Sequence, residues 1–178
     1  MKTNIVLIGF MGAGKTEVGR ILAINLGFNF LDIDALIEKY EEMSITEIFK
    51  KKGEKYFRNL ETKILNSVRE TIKGSELSGK DKPSVISTGG GMPAFNGNMK
   101  LLKNIGTVIY LKADARTIYE RIKSETHRPV LGADGFTLKS VSDKLKKREK
   151  FYEKADIIIY TEGLTPLSAA EEIKIFLN

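Results

Sequence analysis

Five short, largely apolar runs recur along the chain, and between them apolar residues return every three or four positions. The runs occupy positions 5–8, 28–32, 85–88, 107–111 and 156–160. Continuous apolar runs are typical of strands buried on both faces of a parallel sheet, and a period near 3.6 is typical of helices packed along one face. The pattern therefore predicts an α/β fold in which helices cover both faces of a five-stranded parallel sheet.

Capping residues and glycines set the predicted ends of the helices. The first helix should run over 15–26 and end at Gly27, and Ser44-Ile45-Thr46-Glu47 has the form of a capping box that opens a short helix ending at Gly53. Asp114 should cap a later helix. The remaining predicted helices span 35–40, 54–73, 138–152 and 167–177. Positions 74–83 are polar and rich in helix breakers, so they predict an exposed loop.

Length and composition restrict the classes of protein that the chain can represent. It has 178 residues, enough for one well-buried core, so 1–178 is predicted to be a single domain. The absence of cysteine excludes disulfides and suits the cytosol, and no signal peptide is expected before the first strand. No apolar run approaches the roughly 20 residues of a membrane span. We therefore expect a cytoplasmic protein with no membrane partner. We also predict a monomer.

The net charge of +6 is compatible with nucleic acid, a membrane surface or a phosphorylated ligand as partner. Lysine supplies most of this charge, with clusters at 50–52 and 144–150. Neither cluster has the interleaved aromatic residues of a platform for single strands, and both lie in helical patterns where a solvated face explains them. Nucleic acid is therefore not the expected partner.

The first apolar run is followed by Gly9-Phe10-Met11-Gly12-Ala13-Gly14-Lys15-Thr16, which matches G-x-x-x-x-G-K-[ST] at every fixed position. Its glycines let the backbone curl so that successive N–H groups point inward, and the following helix adds partial positive charge to the same concavity. Lys15 should bind the β- and γ-phosphates of a nucleotide, and Thr16 should bind Mg²⁺. The alternative is a glycine-rich turn with an incidental lysine.

Two acids follow the second run, in Asp32-Ile33-Asp34. If the strand continues through them, alternation directs both carboxylates to one side, and the carboxyl edge of a parallel sheet is where ligands bind. We therefore expect Asp32 and Asp34 to face the phosphates. The alternative is that they cap the next helix, a role that Asp34 can fill alone.

Two further features have open interpretations. Arg58 and Glu61 share a helix face, as either a surface ion pair of little energetic value or a positioned fork for a substrate carboxylate. The glycines at 89–91 follow the third strand and indicate either close approach of the backbone to a ligand or a simple turn.

The segment 124–137 contains Pro129 and two glycines, and Arg128 lies among them without an acidic neighbour at helical spacing. This pattern predicts a mobile lid that delivers a cation to the transferring phosphate. The one histidine of the chain, His127, lies in the same segment, where a lone loop histidine is usually inert.

Taken together, these motifs resemble those of the shikimate kinases over nearly the whole chain. The matching elements are the loop at 9–16, Asp-Ile-Asp at 32–34, Phe-Arg-x-x-Glu at 57–61, Gly-Gly-Gly at 89–91, Arg-Pro-Val-Leu at 128–131 and Arg-x-x-x-Tyr at 148–152. The resemblance implies ATP-dependent phosphorylation of the 3-hydroxyl of shikimate, with ATP and Mg²⁺ as cofactors, on the way to chorismate and the aromatic amino acids. It also implies a P-loop NTPase fold of the nucleoside-monophosphate-kinase type, with strand order 2-3-1-4-5, a substrate-binding excursion over about 34–73 and a lid over about 124–137.

On the nucleotide side, the resemblance implies that Lys15 and Arg128 stabilise the transferring phosphoryl group. Thr16 would bind Mg²⁺ directly, Asp32 would hold it largely through water, and Arg121 would stack on adenine. The residues expected to contact the nucleotide are Gly12, Ala13, Gly14, Lys15, Thr16, Glu17, Arg121 and Arg128.

On the acceptor side, the resemblance implies that Asp34 orients and deprotonates the attacking hydroxyl. Arg58 and Arg148 would bind the shikimate carboxylate, and Glu61 would fix Arg58. The backbone at Gly89, Gly90 and Gly91 would contact the substrate. An acid with several hydroxyls needs both cationic forks and a carboxylate among its hydroxyls, so this assignment agrees with the residues themselves.

The chain departs from the family pattern in three places. Glu17 stands where many relatives carry a second hydroxyl residue. A hydroxyl contact to the α-phosphate is therefore not expected from this position, and a negative charge lies near the loop. The segment 74–83 is longer than usual. The loop at 161–166 carries no arginine, so recognition of adenine there would rest on the backbone.

Three rival functions fit the phosphate loop less well. Another kinase of the same fold is the nearest, but a zinc-lid adenylate kinase needs cysteine and a gluconate-type kinase does not explain Arg58 and Arg148 together. A GTP-dependent switch needs an N-K-x-D motif, which is absent. A noncatalytic ATP-binding module would be expected to lose Asp34 or Arg128.

Overall fold

A parallel sheet of five strands in the order β2-β3-β1-β4-β5 carries the fold. We describe residues 4–78, 82–123 and 137–177 of a computed structural model. The strands are β1 Ile5–Ile8, β2 Asn29–Asp32, β3 Ser84–Ser87, β4 Thr107–Lys112 and β5 Ile157–Tyr160. The predicted fold class and strand order are confirmed, with strand ends that differ from the prediction by one residue at most.

Helices cover both faces of the sheet. They are α1 Lys15–Leu26, α2 Ile33–Glu41, α3 Ile45–Ser78, α4 Asn98–Ile105, α5 Ala115–Lys123, α6 Leu138–Tyr152 and α7 Pro166–Leu177, with a 3₁₀ turn at Met92–Ala94. No helix in the described ranges combines the length and apolarity that crossing a bilayer needs.

Alternation along β1 divides the core into two layers. Val6 and Ile8 join the layer under α2 to α6, whereas Ile5 and Leu7 join the layer under α1 and α7. All four side chains are at most 3% exposed, because a central parallel strand is covered on both faces. The carboxyl ends of the strands are thereby held at one edge of the sheet.

Several helix ends lie where the sequence predicts them. α1 and α6 have the predicted bounds, and Gly27 ends α1 in a left-handed conformation with φ 67°. The capping box is present, because Glu47 N–H donates to the Ser44 hydroxyl and Ser44 N–H donates to the Glu47 carboxylate.

The prediction that Asp32 and Asp34 alternate along one strand is wrong. β2 ends at Asp32, and α2 begins at Ile33, so Asp34 lies in the first turn of a helix. Asp32, and not Asp34, caps this helix by accepting from Ala35 N–H at 3.2 Å. Strand and helix meet here without a connecting residue, so alternation does not govern the second acid.

The prediction of a loop from position 74 is also wrong, because α3 continues to Ser78. A glycine costs about 1 kcal/mol in a helix interior relative to alanine, which is too little to end a long helix by itself. Gly53 does interrupt α3, with a non-helical backbone at φ 79° and ψ 169°. The 3₁₀ turn and α4 were not predicted, although Met99, Leu102 and Ile105 have helical spacing.

The assignment of 1–178 to one kinase domain, with an excursion and a lid, stays a prediction. The lid at 124–137 lies outside the described residues except for Thr137. Arg128 and His127 therefore lie outside them too.

Candidate active site

A cavity of about 1480 Å³ opens at the carboxyl edge of the sheet. Its walls come from the segments that follow β1, β2, β3 and β5, together with α3 and α6. Ligands of open α/β sheets bind outside the carboxyl ends of the strands. The cavity therefore lies where this architecture places a functional site.

The predicted phosphate loop forms one end of the cavity. Gly12 and Gly14 have left-handed backbones, with φ 74° and 86°, which L side chains rarely adopt. Gly14 is the last residue before α1, so the amino end of that helix faces the cavity. Lys15 is buried, and its ammonium donates to the Phe10 carbonyl at 2.9 Å. The phosphate loop, the amino end of α1 and the Lys15 side chain thus all line the same end of the cavity.

Thr16 and Asp32, the residues predicted to hold a metal, contact each other beneath this loop. The Thr16 hydroxyl donates to Asp32 Oδ2 at 2.7 Å and lies 3.5 Å from the Ser87 hydroxyl. Hydroxyl and carboxylate oxygens suit Mg²⁺, which keeps several waters and binds few protein ligands. The residues fit a magnesium ion, and Ser87 is a neighbour that the sequence did not single out.

The three glycines at 89–91 bring backbone against functional groups. A Cβ on Gly90 would lie 2.8 Å from the Met11 amide nitrogen, and a Cβ on Gly91 would overlap the guanidinium of Arg58. Gly91 has φ −87°, an ordinary value, so space and not backbone conformation requires glycine there. Close packing against protein groups therefore requires glycine here, and approach of this backbone to a ligand stays a prediction.

Two carboxylates meet at Gly89. A Cβ on this glycine would lie 2.5 Å from Asp34 Oδ1 and 3.0 Å from Glu61 Oε1. The side chain of Glu61 is fully buried. Burial raises the pKa of Glu61, the Arg58 guanidinium opposes the rise and the nearby Asp34 adds to it, and the net result is a pKa of about 7.

Arg58 is buried, so its pairing with Glu61 is not a surface ion pair. Its Nη1 donates to Glu61 Oε2 at 2.8 Å, and its Nε and Nη2 donate to Glu54 Oε1 at 3.2 and 3.0 Å. The ring of Phe95 lies 4.3 Å from its Cζ. Of the two interpretations of Arg58 and Glu61, the geometry favours the positioned fork.

Arg148 reaches the cavity from α6, with its Cζ 5.5 Å from the centre of the Phe10 ring. One turn further, the Tyr152 hydroxyl donates to the Gly90 carbonyl. Burial raises the pKa of Tyr152 to about 12, so the phenol stays protonated and can keep donating. The end of α6 is thereby attached to the glycine triplet.

Arg121 connects the phosphate loop to the segment after β5. Its guanidinium donates to the Thr161 carbonyl at 3.0 Å and to the Gly12 carbonyl at 3.5 Å. Thr165 and Pro166 line the cavity nearby. This is the part of the cavity in which adenine was expected.

All the described residues that the sequence analysis assigned to the site line this one cavity. They are Gly12, Ala13, Gly14, Lys15, Thr16, Glu17, Asp32, Asp34, Arg58, Gly89, Gly90, Gly91, Arg121 and Arg148. Sequence reasoning missed Glu54 and Phe95. Glu54 precedes Arg58 by four positions, which is a detectable signal on a helix. Phe95 lies in an irregular connection, where spacing carries no such signal.

The sequence profile of one protein family, described as shikimate kinase, matches residues 11–178. The chain belongs to the shikimate kinase family. Two members of the family are each 45% identical to this chain over 170 residues, or 96% of its length. They are the shikimate kinases of Thermodesulfovibrio yellowstonii and Persephonella marina. The alignments cover 92% of the first and 96% of the second. Among solved structures, the shikimate kinase of Acinetobacter baumannii in complex with shikimate is 35% identical, with a TM-score of 0.87 over 99% of this chain and 93% of that one.

Proposed function

We propose that this member of the shikimate kinase family transfers the γ-phosphoryl group of ATP to the 3-hydroxyl of shikimate, which gives shikimate 3-phosphate and ADP. One observation carries the proposal: a phosphate loop, a buried arginine fork and a carboxylate open into the same cavity. The solved structure of the Acinetobacter baumannii relative, which holds shikimate, supports the choice of acceptor.

Residues of the phosphate loop would bind and orient the donor. Backbone amides at 12–14 would surround the phosphates, and Lys15 would exchange its contact with the Phe10 carbonyl for a phosphate oxygen. Thr16 and Asp32 would hold Mg²⁺, which neutralises charge on the phosphates when bound. Arg121 would contact adenine, and Arg128 would add positive charge at the transferring group.

Asp34 would orient the acceptor hydroxyl and take its proton as the oxygen attacks the γ-phosphorus. The bond from that phosphorus to the β,γ-bridging oxygen breaks, and the electron pair leaves with ADP. Asp34 suits this task because it lies in the first turn of α2, beside Gly89 and next to the buried Glu61. Positioned acid–base groups of this kind typically contribute factors of about 10² to 10⁴ in rate.

Arg58 and Arg148 would bind the carboxylate of shikimate from two elements, α3 and α6. Glu61 would keep Arg58 in place through its contact with Nη1. The backbone at Gly89, Gly90 and Gly91 would lie against the ring of the substrate, since no side chain projects from this segment. A neutral acceptor could not form the charge-assisted hydrogen bonds that a carboxylate forms with Arg58 and Arg148.

The finer features of the molecule belong to the same proposal. We infer a single kinase domain, with a substrate-binding excursion over about 34–73 and a lid over about 124–137 that carries Arg128. We also infer a monomer that acts in the cytoplasm, where reducing conditions suit a chain without cysteine. Light scattering of the purified protein at assay concentration tests the monomer, because a complete dimer would contradict it.

A coupled assay of ADP release tests the substrate. Shikimate, quinate, gluconate and AMP are compared at equal concentration, and we expect robust turnover only with shikimate. A preference for gluconate or AMP would show that the acceptor is wrong while the kinase assignment stands. Turnover without any acceptor at the same rate would contradict both.

A further inference from the structure

The guanidinium of Arg58 is held along its edges by two carboxylates of different exposure. Glu61, on Nη1, has a side chain with no exposed surface, whereas the Glu54 side chain is 58% exposed. Nε and Nη2 of Arg58 both donate to the same Glu54 oxygen. Glu54 therefore holds the edge of the guanidinium that Glu61 does not reach.

Aromatic rings surround the same guanidinium. The centre of the Phe95 ring lies 4.3 Å from Cζ of Arg58, closer than those of Phe57 at 5.3 Å and Phe49 at 5.8 Å. A guanidinium at this distance from a ring is attracted by the quadrupole of the ring. The next residue, Asn96, donates to the Arg58 carbonyl at 3.2 Å. The connection at 95–96 thus contacts both the side chain and the backbone of Arg58.

These contacts leave a defined set of donors for a ligand. A guanidinium has five N–H groups, and within the described part of the chain three of them are used, on Nε, Nη1 and Nη2. One N–H on each terminal nitrogen is left. Gly91 keeps space next to these two nitrogens, because a Cβ there would overlap them. A carboxylate with two oxygens can accept from both.

We propose that Glu54 and Phe95 are positioning residues that make the enzyme selective for a carboxylated acceptor by holding Arg58 in one orientation. Glu54 fixes the edge formed by Nε and Nη2, and Phe95 fixes the plane of the guanidinium. The two remaining donors are then left for the acceptor carboxylate. This inference rests on the proposed function, because it takes Arg58 as the residue that binds that carboxylate.

The same helix provides a matched control. Arg69 donates from Nε and Nη2 to a single oxygen of Glu70, at 3.1 and 2.7 Å, which repeats the contact between Arg58 and Glu54. Neither Arg69 nor Glu70 lines the cavity. Glu70→Ala therefore removes the same kind of ion pair from the same helix without touching the proposed site.

The first experiment compares steady-state kinetics of the full-length enzyme on shikimate and on its methyl ester, in which the carboxylate is neutral. We expect Glu54→Ala and Phe95→Leu each to raise KM for shikimate about tenfold, with kcat and KM for ATP within twofold of wild type. The ester should be affected within twofold only. Glu54→Gln and Phe95→Tyr, which keep the accepting oxygen and the ring, should restore most of the lost affinity.

The second experiment observes Arg58 directly in the ligand-free enzyme. The Nε–H resonance of Arg58, assigned by its loss in Arg58→Lys, should exchange slowly with water in wild type and in Glu70→Ala. It should exchange fast in Glu54→Ala. Slow exchange of this proton in Glu54→Ala would contradict the proposed positioning role of Glu54, whatever the kinetic results.

Four kinetic results would contradict the inference. The positioning role fails if Glu54→Ala or Phe95→Leu leaves KM for shikimate within twofold of wild type. It also fails if Glu54→Ala lowers this KM, because Glu54 would then compete with the substrate for Arg58. It also fails if KM for shikimate, for the ester and for ATP all change by the same factor, or if Glu70→Ala has the same effect as Glu54→Ala.

The proposed function and this inference can fail separately. A wild-type enzyme without activity on shikimate would contradict both, whereas an active wild type with unaffected variants would contradict the inference alone.

Discussion

At the nucleotide end of the cavity, consecutive residues from Gly12 to Glu17 line the wall, whereas the acceptor end draws on Asp34, Arg58, Gly89 and Arg148 from separate parts of the chain. The loop presents mainly backbone N–H groups and one ammonium. The acceptor end presents side-chain carboxylates and guanidinium groups that touch one another over short distances. One end is thus a local motif, and the other is a product of the whole fold.

The contrast shows where selectivity resides. A curled backbone followed by a helix binds phosphate of almost any nucleotide, because its donors belong to every residue type. The acceptor end instead depends on side chains that come together from α2 and α3 at the glycine triplet, as Asp34 and Glu61 do at Gly89. Substitutions at the acceptor end should therefore change the kinetic constants for shikimate and leave the binding of ATP unchanged.

Asp34→Asn should separate the two ends most clearly. The amide keeps the size of the side chain and loses the basic oxygen, so we expect kcat to fall by a factor of about 10² to 10⁴. Affinity for ATP, measured by calorimetry, should stay within twofold of wild type. Asp143→Asn, an exposed change outside the cavity, is the control. Loss of ATP binding in Asp34→Asn would show that the two ends are not separate.

Glu61→Gln should change how the free energy of unfolding depends on pH, because Glu61 is a buried carboxylate at the acceptor end. The pKa of Glu61 rises from its ordinary value near 4.5 to about 7 in the folded protein. The folded state therefore binds this proton more tightly than the unfolded chain, and Glu61 favours folding below pH 4.5 and loses that contribution as the pH rises through 7. The difference corresponds to about 3 kcal/mol.

Urea denaturation at pH 5 and pH 8 measures this effect. Because glutamine does not titrate, the free energy of unfolding of Glu61→Gln should improve relative to wild type on going from pH 5 to pH 8, by up to about 3 kcal/mol. Glu70→Gln should track wild type over this range, since its partner Arg69 lowers the pKa of Glu70 and keeps it ionised. Parallel profiles for wild type and Glu61→Gln would contradict the raised pKa.

Gly91→Ala should disturb the acceptor end through space alone. The added methyl overlaps the guanidinium of Arg58, so the arginine must move away from its two carboxylates. Losing a charge-assisted contact to the substrate should raise KM for shikimate about 10- to 100-fold, with KM for ATP little changed. Gly74→Ala, where a Cβ meets nothing within 4 Å, is the control. An unchanged KM in Gly91→Ala would mean that Arg58 does not bind the acceptor in this position.

The difference between the two ends also explains what the sequence could predict. The bounds of α1 and the left-handed Gly27 follow from local rules, because caps and glycines act within one turn. Asp34 was expected at the cavity for a wrong reason, since it lies on a helix and not on a strand. Asp34 nevertheless lies at the carboxyl edge of the sheet, because α2 begins directly after β2 ends at Asp32.

The rest of the acceptor end depends on packing that no local pattern encodes. The contact of Phe95 with Arg58 joins an irregular connection to a helix 37 positions earlier, and it exists only because the connection returns over α3. The burial of Glu61 beside Asp34 and Gly89, which raises its pKa, likewise exists only once these separate parts of the chain are assembled. Spacing along α3 indicates that Arg58 and Glu61 are paired but cannot tell whether the pair is buried.

Glu17→Gln should give the smallest effect, at the nucleotide end. Glu17 is exposed and lines the cavity beside the phosphate loop, so its charge opposes that of the bound phosphates. Exposed charges interact weakly, and we expect KM for ATP to fall about 2- to 5-fold while KM for shikimate stays constant. The change should largely vanish at 1 M salt, where the screening length is about 3 Å. Glu120→Gln, exposed but outside the cavity, should change neither constant. A rise in KM for ATP in Glu17→Gln would instead mean that Glu17 supports nucleotide binding, and an effect on shikimate would mean that even a surface charge couples the two ends.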